Sequence, residues 1–274
     1  MEFVGRRQYA KIRCEGKDRL IMRQQEQILC AILDAGELLL TAGAEVARVE
    51  DTIRRMAAAY GFARADVLTI TASMVVTAQS NDGAVLTQTR RILRRETNMR
   101  QIEAVNALSR EVCAHPMPLE QFHARLDAVR HMDDGPRWRQ PIAYLIIAGA
   151  FAVFFGGTWR DGIAAMLCSM VMYFIGQMGA RIDLQPLVLT TFSAAAMCLA
   201  AIVTVWIGLG QGLDYIIIGN IMLLIPGIAF VTSLRDMIVG DTISGLLGAF
   251  EALLRALAIA AGCALVLMQL GGTV

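Results

Sequence analysis

The sequence predicts a mixed fold. An N-terminal soluble α+β domain (helix–helix–hairpin–helix–helix) is followed by an all-α polytopic membrane domain of five transmembrane helices. Three observations predict it. The chain is 56% hydrophobic with a mean hydropathy of +0.52, too apolar for an ordinary soluble domain. Charge is unevenly spread, with 21 Lys+Arg and 18 Asp+Glu before Pro141 and only 4 and 6 after it. Short amphipathic periods fill the first half and long apolar runs the second, with the change near Gly135-Pro136. The net charge of +1 gives no footing for nucleic-acid binding.

Residues 1–24 are basic and aperiodic, with Arg6, Arg7, Lys11, Arg13, Lys17, Arg19 and Arg23. They read as a solvated, partly disordered arm, with contact to anionic headgroups as the alternative. No apolar core of signal-peptide length is present, so no cleavage is expected.

Residues 25–135 read as a cytoplasmic domain. Gln25 to Leu40 is a helix with a wide apolar face, too short and too charged (Asp34, Glu37) to span a bilayer. After Thr41-Ala-Gly-Ala a second helix opens at Glu45, with Val46, Val49, Ile53, Met56 and Tyr60 in one stripe and Gly61 at its C-terminal cap. Glu50–Arg54 and Asp51–Arg55 are (i, i+4) pairs, so the cluster Gly43, Glu45, Arg48, Glu50 and Asp51 is explicable as surface pairing or as a docking motif. Asp66 to Gln79 alternates and predicts one half-buried strand, with Leu68, Ile70, Ala72, Met74, Val76 and Ala78 on one side. Ser80-Asn-Asp-Gly83 is a hairpin turn, and Val85, Thr87 and Thr89 begin the return strand. Helices follow at about 98–114 and 119–132, separated by Pro116 and Pro118.

His115, His123 and His131 are eight apart, a poor spacing for ligands on one helix, and read as solvated side chains. Cys14, Cys30, Cys113, Cys168, Cys198 and Cys263 form no Cys-x-x-Cys pair and read as reduced, small hydrophobes. No metal and no cofactor is expected.

Residues 136–274 read as the membrane domain. Spans are expected at about 141–158, 162–180, 187–209, 215–231 (with a break at Pro226-Gly227) and 243–270. Trp138, with Arg137 and Arg139, anchors the first. Arg125, Arg130, Arg137, Arg139, Arg181 and Arg235 fall on one side and Arg160 on the other, which predicts a cytoplasmic N-terminal domain and an outside C-terminus at Val274.

The candidate pathway is the stretch from Leu224 to Gly262. Pro226 removes a backbone hydrogen bond, and Gly227 lets a neighbouring backbone approach. A short charged connector, Arg235 to Asp241, follows, in which Asp236 and Asp241 are suited to carry a proton. Glu251 and Arg255 are one turn apart in the last span. They read as a pair facing a polar cavity, or as an interfacial Glu251 with Arg255 snorkelling. Broken helices and intramembrane charge are the ingredients of a transport pathway.

Two segments together resemble the threonine/serine exporter family. One is Gly43-Ala-Glu-Val-Ala-Arg-Val-Glu-Asp-Thr-Ile53 ahead of Tyr60-Gly61. The other is Pro226-Gly227 followed by Arg235-Asp-Met-Ile-Val-Gly-Asp-Thr-Ile-Ser-Gly245 and Glu251. The resemblance implies a bacterial inner-membrane secondary exporter of small carboxylate-bearing metabolites, threonine/serine or a dicarboxylate such as succinate. It also implies the larger subunit of a split form, completed by a separate small membrane subunit, and leaves homo-oligomerisation open. It carries no assigned substrate ligands, so the pathway residues rest on membrane chemistry alone. A regulatory or scaffolding subunit, whose soluble domain gates a partner, is the second class. An enzyme is not expected: there is no His-Glu-x-x-His, Gly-x-Ser-x-Gly or Gly-x-x-x-x-Gly-Lys-Ser/Thr, and no histidine in the spans.

Overall fold

The computed structural model describes residues 2–93, 95–132, 135–136, 138–182 and 184–270, with side chains from Met22 onward. Arg137 and Val274 lie outside the described residues, as do the side chains of Cys14 and of the arm before Met22. The chain divides into two compact units, Met1–Asp133 with Thr232–Gly248, and Asp134–Val231 with Ala249–Val274. The sequence assigns Thr232–Gly248 to the membrane domain; the fold groups it with the N-terminal unit.

In the first unit α1 (Glu2–Thr41) begins well before the Gln25 expected from periodicity. Its last part is buried all round, Ala31, Ile32 and Leu33 being wholly enclosed, which makes it the centre of the core rather than a one-faced helix. Its end is a Schellman motif. The Ala44 N–H donates to Leu39 O (3.0 Å) and the Gly43 N–H to Leu40 O (3.1 Å), with Gly43 at φ +86°. That left-handed residue turns the chain into α2 (Val46–Ala59), which buries Val46, Val49, Ile53 and Met56 on the expected stripe. The two (i, i+4) pairs form on its outer face, Arg54–Glu50 at 2.5 Å and Arg55–Asp51 at 2.8 Å.

The expected single strand from Asp66 to Gln79 is two. β1 (Phe62–Ile70), β2 (Ser73–Ser80) and β3 (Val85–Arg91) form an antiparallel sheet in that order. A two-residue turn at Thr71-Ala72 sets Ile70 opposite Ser73, so Thr69 pairs with Met74 and Val67 with Val76. The turn reverses the parity of β1. Leu68, expected inside, is 66% exposed, and Thr69, expected outside, is 3% exposed. Ser80–Gly83 makes the second hairpin, with Gly83 at φ +87°. α3 (Met99–Ala114) is capped by Asn98, whose side chain accepts from the Gln101 N–H, and α4 (Leu119–Arg130) closes the core with Phe122. The Tyr60 hydroxyl donates to Met117 O (3.0 Å), and burial pushes this phenol above its ordinary range. His115, His123 and His131 are exposed, and no group of three or more His, Cys, Asp or Glu is placed to hold a metal among the described residues.

The second unit holds α5 (Arg139–Phe154), α6 (Trp159–Arg181), α7 (Pro186–Trp206) and α8 (Leu213–Leu224). The chain continues through α9 (Gly227–Val239) and α10 (Thr242–Leu270). α6, α7 and α10 are long and apolar enough to cross a membrane; α8 and α9 qualify together as a pair bent by 54°, and α5 is a shorter apolar helix. α8 packs against α5, α6 and α7. Its Gly219 sits against α5 so closely that a Cβ would fall 2.6 Å from Ala148 O and 2.8 Å from the Ala152 N, a small-residue contact of the kind that joins helices in lipid. Asp161 is a buried clamp. Its carboxylate accepts from the Thr158 N–H and hydroxyl (2.8 and 2.7 Å) and from the N–H groups of Gln211 (2.6 Å) and Gly212 (2.9 Å). Cys168, Cys198 and Cys263 are buried free thiols of this unit, while Cys30 is half-buried and Cys113 exposed in the other.

Candidate functional site

The segment expected to be a charged connector, Arg235 to Asp241, is mostly helix. α9 runs on through Val239, because Met237, Ile238 and Val239 sustain the helical run, and it stops at Gly240, where φ is +115°. The Asp241 N–H returns to Asp236 O (2.9 Å), and the Gly245 N–H donates to Asp241 O (2.9 Å) as α10 begins. The two helices cross at Gly245, where a Cβ would lie 2.5 Å from Ser233 O and 2.7 Å from the Met237 N. A tight helical hairpin is what the sequence Gly-Asp-Thr-Ile-Ser-Gly encodes here.

This hairpin meets the start of α2 within the N-terminal unit. The N-cap residue Glu45 makes no capping bond with its own side chain. The Asp236 carboxylate of α9, which is 3% exposed, faces the Val46 N–H at this helix end. Burial is the largest influence on this carboxyl and pushes it above the usual carboxylate range; the Arg95 guanidinium and the Val46 N–H favour the charged form, while Asp241 and Glu45 oppose it. Arg95 also donates to Ala44 O (2.9 Å). Next to Asp236, Arg235 pairs with Glu45 at 2.6 Å. Beyond them Glu50 accepts from the Thr69 N–H (2.9 Å), and the buried Ser244 hydroxyl donates to Thr69 O (3.4 Å). The backbone of Thr69 in β1 is thus bonded by both α2 and α10.

The fold therefore brings together Glu45, Glu50, Arg235, Asp236 and Asp241, and it seats Gly43 in the turn that leads into the cluster. Arg48 is exposed on α2 and Asp51 is occupied with Arg55. Pro226, Gly227, Glu251 and Arg255 belong to the other unit. Glu251 and Arg255 pair at 3.0 Å, with side chains 56% and 34% exposed on α10. Gly227 corrects the sequence reading: among the described residues a Cβ there would meet nothing within 4 Å, so the expected close backbone approach is not made within this chain. Arg95, Thr69 and Ser244 were not legible as part of the site. The available signal for Ser244 was its place in the segment 235–245 that carries the family resemblance; for Thr69 the parity reversal concealed it.

A family model described as putative threonine/serine exporter matches residues 31–270. The chain is similar to a probable threonine/serine exporter of Mycobacterium tuberculosis, 24% identical over 86% of this chain and 45% of that protein. It is similar to the threonine/serine exporter of Corynebacterium glutamicum, 25% identical over 84% of this chain and 48% of that protein. It is also similar to the probable succinate transporter subunit YjjP of Escherichia coli, 24% identical over 81% of this chain and 87% of that protein. The chain thus spans about half the length of the two exporters and most of the length of the subunit. No solved structure matches it.

Proposed function

The chain belongs to the putative threonine/serine exporter family, and from that premise we propose that it is a subunit of an inner-membrane secondary exporter. Its cargo is a small carboxylate-bearing metabolite, threonine/serine or a dicarboxylate such as succinate. A separate small membrane subunit completes the pathway. The observation that carries the reading is the interruption of an apolar helix at Pro226, where α8 stops and α9 departs at 54°. A broken helix inside a membrane bundle presents free carbonyls and a dipole end to a solute. Five crossings are proposed, formed by α5, α6, α7, the α8–α9 pair and α10. The N-terminal unit lies in the cytoplasm, on the side of Arg125, Arg130, Arg139, Arg181 and Arg235. Arg235, Asp236 and Asp241 stand at the cytoplasmic end of this pathway, with Glu251 and Arg255 further along α10.

A second reading, in which the soluble domain gates a pathway carried by the partner, is favoured by the contacts of Asp236 and Ser244 with Val46 and Thr69. Deleting the N-terminal domain tests it poorly, since that would strip the partners from both side chains. The discriminating assay is efflux of labelled threonine, serine or succinate from cells lacking their own exporters. They express this chain alone or with the small membrane protein encoded beside it. Efflux with both chains supports the two-subunit exporter. A membrane-inserted pair that moves no label refutes it.

A further inference from the structure

In the second unit the buried polar side chains are mostly satisfied close to home. The Ser169 hydroxyl donates to Met166 O (2.7 Å) and the Thr204 hydroxyl to Ala201 O (2.7 Å), each within its own helix. Asp161 takes four donors. Asn220, on α8, differs. It is 0% exposed, and its Nδ2 donates to Ile216 O (2.9 Å), one turn back. Its Oδ1 has no donor, the one such buried side-chain oxygen of this unit among the described residues. Turning the amide over would not repair this, because two acceptors would then face each other at Ile216.

An orphaned carbonyl oxygen deep in an apolar bundle is costly unless something donates to it. The next turn of α8 is also rich in acceptors. Pro226 has no N–H to give to Met222 O, and the Gly227 N–H is taken by Ile225 O (2.8 Å) instead of Leu223 O. Asn220 Oδ1 and the Met222 and Leu223 carbonyls are therefore oxygen acceptors at the negative end of the α8 dipole, with α5, α6 and α7 packed around this helix. Such a place repels an anion and welcomes a positive group. One neutral amide is too weak for a divalent ion, which calls for carboxylates.

We propose that Asn220 Oδ1 is a binding group for a monovalent positive charge inside the membrane bundle, either the ammonium of an amino-acid cargo or a monovalent coupling cation. The choice of carried group rests on the exporter reading; the binding of a cation by Asn220 does not. A dicarboxylate has no ammonium, so in a succinate carrier the same oxygen takes the coupling cation.

The test compares the wild type with Asn220→Leu and Asn220→Asp in the purified full chain and in vesicles holding it with its partner. Asn220 makes one bond within its own helix, so Asn220→Leu is expected to fold with an undiminished melting temperature. The wild type is expected to gain thermal stability from sodium against choline, or from threonine against succinate, and Asn220→Leu to lose that gain. Half-saturation is expected to weaken about tenfold in Asn220→Leu, a loss of one good polar contact. Asn220→Asp is expected to retain binding. A shift in sodium half-saturation alone identifies the coupling cation; a shift in threonine KM alone identifies the ammonium. Wild type and Asn220→Leu with the same ligand response, or a wild type stabilised by none of these ligands, overturns the proposal. A wild type that binds sodium yet moves no label overturns the exporter reading and leaves the Asn220 site standing.

Discussion

The carboxylate of Asp236, on α9, faces the Val46 N–H at the head of α2, 190 positions earlier in the chain. A helix terminus normally takes its cap from the residue just before it. Here that residue, Glu45, turns its side chain to Arg235 instead. The helix N-terminus and the two consecutive residues of α9 are thereby tied at two points. Asp236→Ala is expected to cost about 1–2 kcal/mol, the loss of a buried cap. Asp236→Asn keeps an acceptor for Val46 and is expected to cost less. Thermal unfolding of the purified chain ranks the two; equal melting temperatures for Ala and wild type would remove Asp236 from the capping role.

The Arg235–Glu45 pair is asymmetric in exposure, 62% against 21%, so its contribution to stability is expected to be no more than ~1 kcal/mol. Its effect on flux is expected to be larger, because it joins α2 to the helix that follows the Pro226 break. Glu45→Arg places two guanidinium groups together, and Arg235→Glu brings a third carboxylate to Glu45 and Asp236. Each is expected to lower efflux. The double variant restores opposite charges and is expected to recover most of it. Full efflux in both single variants would show that the pair has no part in transport.

Gly245 and Gly227 look alike in the sequence, each a small residue within an apolar run. Their surroundings differ. A methyl group at Gly245 collides with Ser233 O and the Met237 amide, whereas one at Gly227 meets only open space. Gly245→Ala is expected to destabilise the α9–α10 hairpin by about 1–3 kcal/mol. Gly227→Ala is expected to be neutral or to strengthen the first turn of α9 by up to ~1 kcal/mol. Proteolysis at Gly240–Asp241 reads out the hairpin: faster cleavage in Gly227→Ala than in Gly245→Ala would contradict this geometry.

Amphipathic helices were legible because their period survives to the surface; the α2 stripe from Val46 to Met56 was read residue by residue. β1 was not. Alternation runs unbroken through Thr71-Ala72, which has neither glycine nor asparagine to mark a turn, so the inward and outward residues of β1 were exchanged. Leu68→Thr is accordingly expected to change stability by no more than ~0.5 kcal/mol. Met74→Ala, on the buried face of β2, is expected to cost about 2–5 kcal/mol. The melting temperatures of these two variants check the register directly. The same limit applied to the site. Charged residues in an apolar run, such as Arg235 and Asp236, suggested a loop, and nothing local disclosed that the head of α2 would receive them.

Arg255 lies on α10, in the proposed pathway. Because Thr242–Gly248 belongs to the N-terminal unit, the part of α10 left in the second unit starts at Ala249. At 1.5 Å per residue Arg255 lies about 9 Å along it and Glu251 about 3 Å. If the proposed crossing begins there, the pair is expected near one end of it, within reach of the interface by snorkelling. A guanidinium at a pathway mouth attracts a carboxylate and is replaceable in part by any cation. Arg255→Ala is therefore expected to raise the KM for cargo with the chain still inserted, and Arg255→Lys to restore much of the affinity. Glu251→Gln is expected to change little, since it frees the guanidinium without removing it. Labelled-substrate counterflow in vesicles separates these outcomes, and an unchanged KM in Arg255→Ala would confine Arg255 to anchoring the helix.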